Sequence, residues 1–406
     1  MSINTNNEAV GELPVTRQRL IILLIFCASP MAALVITAVT PALPALAAHL
    51  SHMADGAFVA QMVMTLPDAS LVIGGLSAGF IIERFGDRAI IYIALLLYAA
   101  AGTLPLATDN IALILTSRFF LGFGAALFLA ASLSVLARYF HGEQRKRLVG
   151  YKGGIAALVG FASFPAAGAL VAETGWRGAF AIYTVAVPVL LLAIYVLPKQ
   201  SAGVHQEENA KVSIVQLMPA TAPLLLMLAA SLLSSNTTVQ GPLALASRGV
   251  DDPRTIGWII AASALANSTS CFIYALFANR YSVRVLCATG FGLMASGSIS
   301  FHLANTPIVW AFACASIGAG FGLLTPTLLN TIIERTAPVA HARAAGFFFS
   351  TIFMGQLLNP ITFTSVREMS DPSAPFLVAA PLLIVVGMAS LFLRNPDRVT
   401  SNQTDR

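Results

Sequence analysis

Charge is scarce in this chain. Only 10% of its 406 residues are Asp, Glu, Lys or Arg, against about 25% in an ordinary water-soluble domain. That scarcity excludes a soluble globular protein. Cysteine is scarce too: Cys27, Cys271, Cys287 and Cys314 fall in apolar stretches with no CxxC spacing. They read as small buried hydrophobes, so neither a disulfide framework nor a metal site is expected. The six histidines are scattered, His49 and His52 being the nearest pair. Without a ligand cluster, or a nucleophile beside a base, no enzyme and no cofactor is expected.

Apolar length is what the chain has. Hydrophobic residues make up 57% of it, and the mean hydropathy is +0.79. Twelve apolar runs recur, over about 20–48, 57–82, 89–108, 111–137, 149–172, 177–197, 218–246, 255–278, 284–303, 307–333, 342–365 and 374–393. Each suffices to cross a hydrocarbon core of about 30 Å as a helix. Lipid gives backbone groups no hydrogen-bond partner, so the fold class expected is all-α integral membrane with twelve transmembrane helices. The first run is too long for a signal-peptide core and no small-residue cleavage site closes it, so it is expected to stay in the mature protein.

Orientation follows from Lys and Arg. With the N-terminus cytoplasmic, eighteen of the 23 fall on the inner side; Arg177, Arg248, Arg254 and Arg367 fall on the outer side, and Arg118 lies within a run. Both termini are therefore expected in the cytoplasm. The net charge of +5 is the ordinary inner-face excess, and no nucleic-acid partner is implied.

The chain also repeats itself. An offset of 196 carries Arg84 to Arg280, Arg88 to Arg284, Gly122 to Gly318, Gly124 to Gly320 and Gly150 to Gly346. This predicts two six-helix halves, 20–198 and 217–394, flanked by tails 1–19 and 395–406. The polar segment 199–216, with QEENAK at its centre, joins them. Paired halves around a central cavity are a plan of secondary transporters.

The stretch GFIIERFGDR, 79–88, closes the second apolar run. It resembles the loop signature G-x-x-x-D-R-x-G-R-R of the major facilitator superfamily. Gly79, Arg84, Gly86 and Arg88 match, Glu83 replaces Asp, and Asp87 stands where a basic residue is usual. Its second-half echo, ALFANRYSVR, keeps Arg280 and Arg284. RFFLGFGAA (118–126), FPAAG (164–168), TGWRGAF (174–180) and PALPAL (41–46) are similar to patterns of the twelve-helix drug:proton antiporter branch, with Phe164 standing where the antiporter pattern has Gly. The resemblance implies a multi-pass protein of a bacterial inner membrane, acting as a monomer. Gly75 and Gly79 form a GxxxG pair expected to admit a neighbouring helix. Glu83 is expected to face the start of the eleventh run, near His341 and Arg343, as part of a cytoplasmic gate.

Ionisable groups at membrane depth are costly and mark function. Asp68 is the only carboxylate well inside a run. At 1.5 Å per residue it sits about 16 Å deep and Arg118 about 10 Å deep from the same side, so the two can meet. Desolvation favours the protonated acid and a nearby guanidinium favours the carboxylate, so joining and separating the pair would load and release a proton. The same residues read alternatively as a permanent ion pair locking two helices. Gln61 and Thr65 extend a polar stripe from Asp68, and Lys152 either snorkels toward the cytoplasm or reaches substrate. Substrate contacts are expected from Gln61, Thr65, Arg118, Asn236, Gln240, Asn267, Gln356 and Asn359, although interhelical hydrogen bonding explains each amide as well. The cargo expected is a neutral, zwitterionic or anionic organic molecule.

Taken with the resemblance, these readings imply a carrier driven by the proton gradient, exporting a drug or an endogenous metabolite such as a siderophore. Proton-coupled nutrient uptake is the alternative within carriers. A channel or receptor is the alternative outside them.

Overall fold

The computed structural model describes residues 15–53, 55–140, 142–197, 218, 220–277, 280–336 and 341–392. Residues 1–14 of the first tail, the second tail and the linker 199–216 lie outside these, as do the side chains of His341 and Arg343; residues 15–19, expected in the tail, already belong to the first helix. The described residues form twelve helical segments, named in chain order α1 (Thr16–His49), α2 (Gly56–Phe85), α3 (Asp87–Leu106), α4 (Ile111–Tyr139), α5 (Gly142–Thr174) and α6 (Gly178–Val196). The second set is α7 (Thr221–Ser247), α8 (Pro253–Phe277), α9 (Val283–Leu303), α10 (Pro307–Arg335), α11 (His341–Met369) and α12 (Ala374–Ser390). Eleven are long and apolar enough to cross a membrane; α12 is apolar but shorter.

The first helix of each half is interrupted. In α1 the helix Val15–Thr37 gives way to a 3₁₀ turn at Thr40–Ala42 before Leu43–His49 resumes. Pro41 sits in that break and Pro44 in the first turn after it, and their missing N–H groups and fixed φ disfavour a continuous helix. In α7, SSNTTVQGP splits the helix into Thr221–Ser234, Asn236–Val239 and Gly241–Ser247. Between α2 and α3, Gly86 turns the chain at φ +79°, a conformation in which a Cβ would be strained.

Two apolar cores form, one per half. The first runs from Ile21 to Leu197 and adds Val239 from α7; the second runs from Ala220 to Leu383 and adds Phe164 from α5. Each core thus borrows one residue from the other half. The sequence repeat is also a repeat of packing. A Cβ on Gly122 would lie 2.3 Å from the Pro67 carbonyl oxygen, and one on Gly318 would lie 2.1 Å from that of Ser263. One on Gly124 would lie 2.9 Å from the Ala94 oxygen, and one on Gly320 would lie 2.3 Å from that of Gly290. The offset of 196 relates both members of each pair. The glycines therefore let α4 ride against α2 and α3 as α10 rides against α8 and α9.

The halves meet where α2 packs on α11 and α5 packs on α8. On the latter seam a Gly168 Cβ would lie 2.3 Å from the Pro253 oxygen, and a Gly257 Cβ 2.6 Å from that of Phe164. Phe164 thus replaces the glycine of the antiporter pattern, and Gly257 on the facing helix supplies the close approach instead.

Several local expectations change. Gly75 has open space around it, and the tight approach falls one residue earlier: a Gly74 Cβ would lie 2.7 Å from that of Ala126. Arg367, expected in an outer connection, is buried in the last turn of α11.

The 1–2, 3–4, 5–6, 7–8, 9–10 and 11–12 connections lie at one end, opposite the basic one. There Asp109 pairs with Arg177 and lies 3.4 Å from His49 Nε2. In the second half, Arg248 Nη2 donates to Ser373 Oγ at 2.6 Å, His302 Nδ1 sits 2.7 Å from the same oxygen, and the Ser373 hydroxyl donates to Asp371. Hydrogen bonds from the hydroxyl and backbone N–H of Ser373 hold the Asp371 carboxyl below the usual carboxylate range.

Two predictions follow from this packing. Gly122→Ala should lower the thermal unfolding temperature of the detergent-solubilised protein by the equivalent of about 1–3 kcal/mol of overpacking, whereas Gly160→Ala, with nothing within 4 Å, should leave it nearly unchanged. A depressed carboxyl stabilises the fold fully above the ordinary Asp range near pH 4 and ceases to do so as pH falls through its lowered value. The wild type should therefore lose stability on acidification below about pH 4 by on the order of 0.5 kcal/mol more than Asp371→Asn does, a small amount because the group is half exposed.

Candidate functional site

Arg118 is the largest fully buried side chain described, and its location explains its contacts. Pro67 in α2 has no N–H, which leaves the carbonyl of Val63, four residues earlier, without its helical donor. Arg118 Nε donates to that oxygen at 2.9 Å. Its Nη2 donates at 2.9 Å to the Val35 carbonyl beside the α1 break, and at 3.0 Å to the Tyr183 hydroxyl of α6. Tyr183 itself donates to the Val35 oxygen at 3.2 Å. The guanidinium carbon lies 5.5 Å from the Phe180 ring centroid and 5.0 Å from that of Tyr183, within cation–π range. One cation on α4 thus gathers α1, α2 and α6.

Asp68 follows Pro67 and is buried as well, with Oδ1 lacking any hydrogen-bond partner. No ion pair within 4 Å joins it to Arg118, and Arg118 Nη1 also lacks a partner. The two residues expected to meet thus share one interior, each with an unmatched polar atom, while Arg118 is engaged by carbonyls. Thr65 donates to the Gln61 carbonyl, one turn away in the same helix. Lys152 does not snorkel: it is buried, with Nζ donating to Ser132 Oγ of α4 at 2.6 Å.

In the 79–88 stretch, Glu83 is exposed and makes no hydrogen bond or ion pair among the described residues. The buried acid is Asp87, at the first turn of α3, with Oδ2 lying 2.6 Å from Arg138 Nη2 at the end of α4. Neither Asp87 oxygen takes a well-directed hydrogen bond, so charge rather than geometry holds the contact. Arg84 lies over Phe85, and Arg88 Nε donates to the Tyr92 hydroxyl at 2.8 Å. The acid placed at the usual basic position of the signature is therefore the one drawn inward.

Between the halves lies a cavity of about 260 Å³. The first half contributes Ala33, Ile36 and Thr37 of α1 with Phe164 of α5. The second contributes Ser234, Ser235, Thr237 and Thr238 of α7, Ile260, Ser263, Ala264 and Asn267 of α8, Ile317, Gly318 and Phe321 of α10, and Gln356 of α11. Among the described residues no charged side chain lines it. Of the eight residues expected at the substrate, Asn267 and Gln356 line the cavity. Gln61, Asn236, Gln240 and Asn359 instead bond to one another, Nε2 of Gln61 donating to Oε1 of Gln240 at 2.8 Å and Nδ2 of Asn359 donating to Oδ1 of Asn236 at 2.7 Å. Thr65 and Arg118 lie outside the lining. The hydroxyls of α7 had a signal in SSNTTVQGP, but the sequence weighed its amides above its Ser and Thr.

A cavity lined by both halves of a repeated helical bundle suits cargo movement, and comparison with known proteins fits this geometry. The family pattern of the Major Facilitator Superfamily matches residues 25–248 and 224–406. The chain belongs to this superfamily. The superfamily is one of secondary transporters of small molecules rather than of enzymes. A methylenomycin A resistance protein of Bacillus subtilis (strain 168) is 32% identical over 180 residues, spanning 43% of this chain and 35% of that relative's length. Crystal structures of a mutant peptide transporter POT, in complex with alafosfalin and with sulfate, superpose with TM-scores of 0.72 and 0.71. Both are 12% identical and cover 91% of this chain and 93% of theirs, a likeness of fold alone.

The Arg118 geometry gives a prediction for the transporter. Arg118→Lys offers one ammonium in place of a fork and cannot serve two carbonyls and a hydroxyl in the same way. It should lower thermal stability by about 2 kcal/mol or more, as expected when buried acceptors lose their donors, and Tyr183→Phe should cost less because it removes one partner only.

Proposed function

We propose that this transporter is a proton-coupled exporter of small uncharged organic molecules, of the drug:proton antiporter type, working by alternating access. In this reading it lies in a bacterial inner membrane with both termini cytoplasmic, and segment 199–216 links halves 20–198 and 217–394. The excess of Lys and Arg at one end supports the orientation. The partial likeness to a drug resistance protein supports export.

The observation that carries the reading is the cavity between the halves, walled by hydroxyls, amides and apolar groups without a charge. Such a wall offers a neutral molecule hydrogen bonds and apolar contact, and offers a strongly charged one no counter-ion. The cargo is therefore neutral, whereas the charge chemistry resides in the first half. Unpartnered at this depth, the Asp68 carboxyl carries a heavy desolvation cost as an anion. Taking up a proton removes that cost, and so does joining Arg118 through its unused Nη1. Motion of α2 against α4 that brings Nη1 to Asp68 would favour proton release, and motion that returns Arg118 to the α1 and α2 carbonyls would favour uptake. Arg118 thus trades carbonyls for carboxylate.

Everted vesicles energised by respiration, given a panel of neutral drugs and metabolites, should show cargo-induced proton release. Asp68→Asn should abolish that release while leaving cargo binding within about threefold, since it keeps the side chain's size and removes only the titration. Release unchanged in Asp68→Asn defeats the coupling residue, and saturable flux indifferent to a pH gradient defeats proton coupling altogether.

A further inference from the structure

The amides that leave the cavity form a continuous chain between the halves. Thr364 of α11 donates its hydroxyl to Gln61 Oε1 at 2.9 Å. Gln61 Nε2 donates to Gln240 Oε1 at 2.8 Å and approaches the Val239 carbonyl at 3.3 Å. Gln240 Nε2 donates to Asn359 Oδ1 at 3.1 Å, Asn359 Nδ2 to Asn236 Oδ1 at 2.7 Å, and Asn236 Nδ2 to the Pro375 carbonyl at 3.1 Å. All five side chains are buried. Gln61 alone belongs to the first half; the others stand on α7 and α11 of the second.

We propose that Gln61 is the breakable joint of a latch that holds the halves together at the end opposite the basic one. Its position fits. Gln61 lies near the start of α2, Gln240 forms the second interruption of α7, and Thr364 is near the close of α11, so all three stand toward the same end. The α5–α8 seam closes at that end too, with Arg254 Nη2 lying 3.0 Å from Glu173 Oε1 and Gly168 against Pro253. When the halves separate there, Gln61 loses all its side-chain partners at once. Gln240 keeps Asn359 and the guanidinium of Arg367, whose Nη1 lies 3.4 Å from its Oε1. In the second half only the Thr364 hydroxyl and the Val239 carbonyl then lose a partner, so the groups left unmatched are confined to these two and Gln61. Water entering the opened cleft can match all three, so opening toward that end and wetting of the cleft occur together.

This inference rests on alternating access in the proposed function and on neither proton coupling nor the direction of transport. Its test is accessibility. In a background with the four native cysteines replaced by alanine, Ser234→Cys places a thiol on the cavity wall by a single-atom change. A membrane-impermeant maleimide is then applied from the end opposite the basic one. Gln61→Leu, which keeps bulk and removes the hydrogen bonds, should speed labelling by about five- to thirtyfold, the shift expected from losing two or three membrane hydrogen bonds of ordinary strength. Labelling from the basic end should slow in step. Equal labelling rates with Gln and Leu at position 61 overturn the latch. If Gln61→Leu does not fold, Thr364→Val removes one of the bonds and decides the question, with a smaller acceleration supporting the latch and an unchanged rate overturning it. The labelling needs neither cargo nor a proton gradient, so failure here leaves the proton-release experiment standing, and failure there leaves this one standing.

Discussion

In a bilayer, a backbone carbonyl deprived of its helical donor must find another, because the surroundings supply none. The first half of this transporter is organised around that constraint. Pro67 frees the Val63 oxygen, the α1 interruption exposes the Val35 oxygen, and Arg118 serves both. The proline in α2 precedes Asp68 and the break in α1 follows Thr37, and a cation from α4 compensates both freed carbonyls. The aromatic faces of Phe180 and Tyr183 complete its surroundings. Removing water from this charge is tolerable because Nε and Nη2 of a rigid fork meet fixed acceptors.

The second half solves the same problem with neutral groups. Where α2 has Pro67 beneath Gly122, α8 has Ser263 beneath Gly318. The glycine register survives the repeat and the proline does not, so no buried arginine is required at the corresponding place. Pro326 of α10 frees the Gly322 oxygen, which lies 3.2 Å from Cys271 Sγ. This division places ionisable chemistry in one half and hydroxyls and amides in the other, with the cavity between them. Cargo recognition and proton handling thereby occupy separate neighbourhoods joined through helix motion.

Much of the plan was legible in the sequence. Apolar run length gave the twelve helices, because a hydrocarbon slab fixes the length of any span. The 196-residue offset marked the repeated packing at Gly122 and Gly318 and at Gly124 and Gly320, because a Cβ would collide in either copy. Asp68 and Arg118 stood out because charge is so rare at depth. What stayed hidden was direction. A periodic pattern tells which helix carries Gln61, Asn236, Gln240 and Asn359, but whether an amide faces a cavity or another amide depends on the rotation of each helix, which packing sets. Rotation also decides the acids of the 79–88 stretch: Asp87 turns in toward Arg138, while the side chains that Glu83 was expected to face, His341 and Arg343, lie outside the described residues. Lys152, read as either snorkelling or reaching substrate, turns instead toward Ser132. Tyr183 and Phe180 went unnoticed, since aromatic residues in apolar runs announce nothing until a cation lies against them.

The Ser373 cluster has a polarity of its own. A hydroxyl owns a single hydrogen, and here it is given to Asp371. Arg248 and His302 must then both act as donors toward the same oxygen. The imidazole is thereby fixed as the Nδ1–H tautomer whenever it is uncharged. Three connections between helices are in this way wired in one sense only, and reversing any single hydrogen would require turning the others.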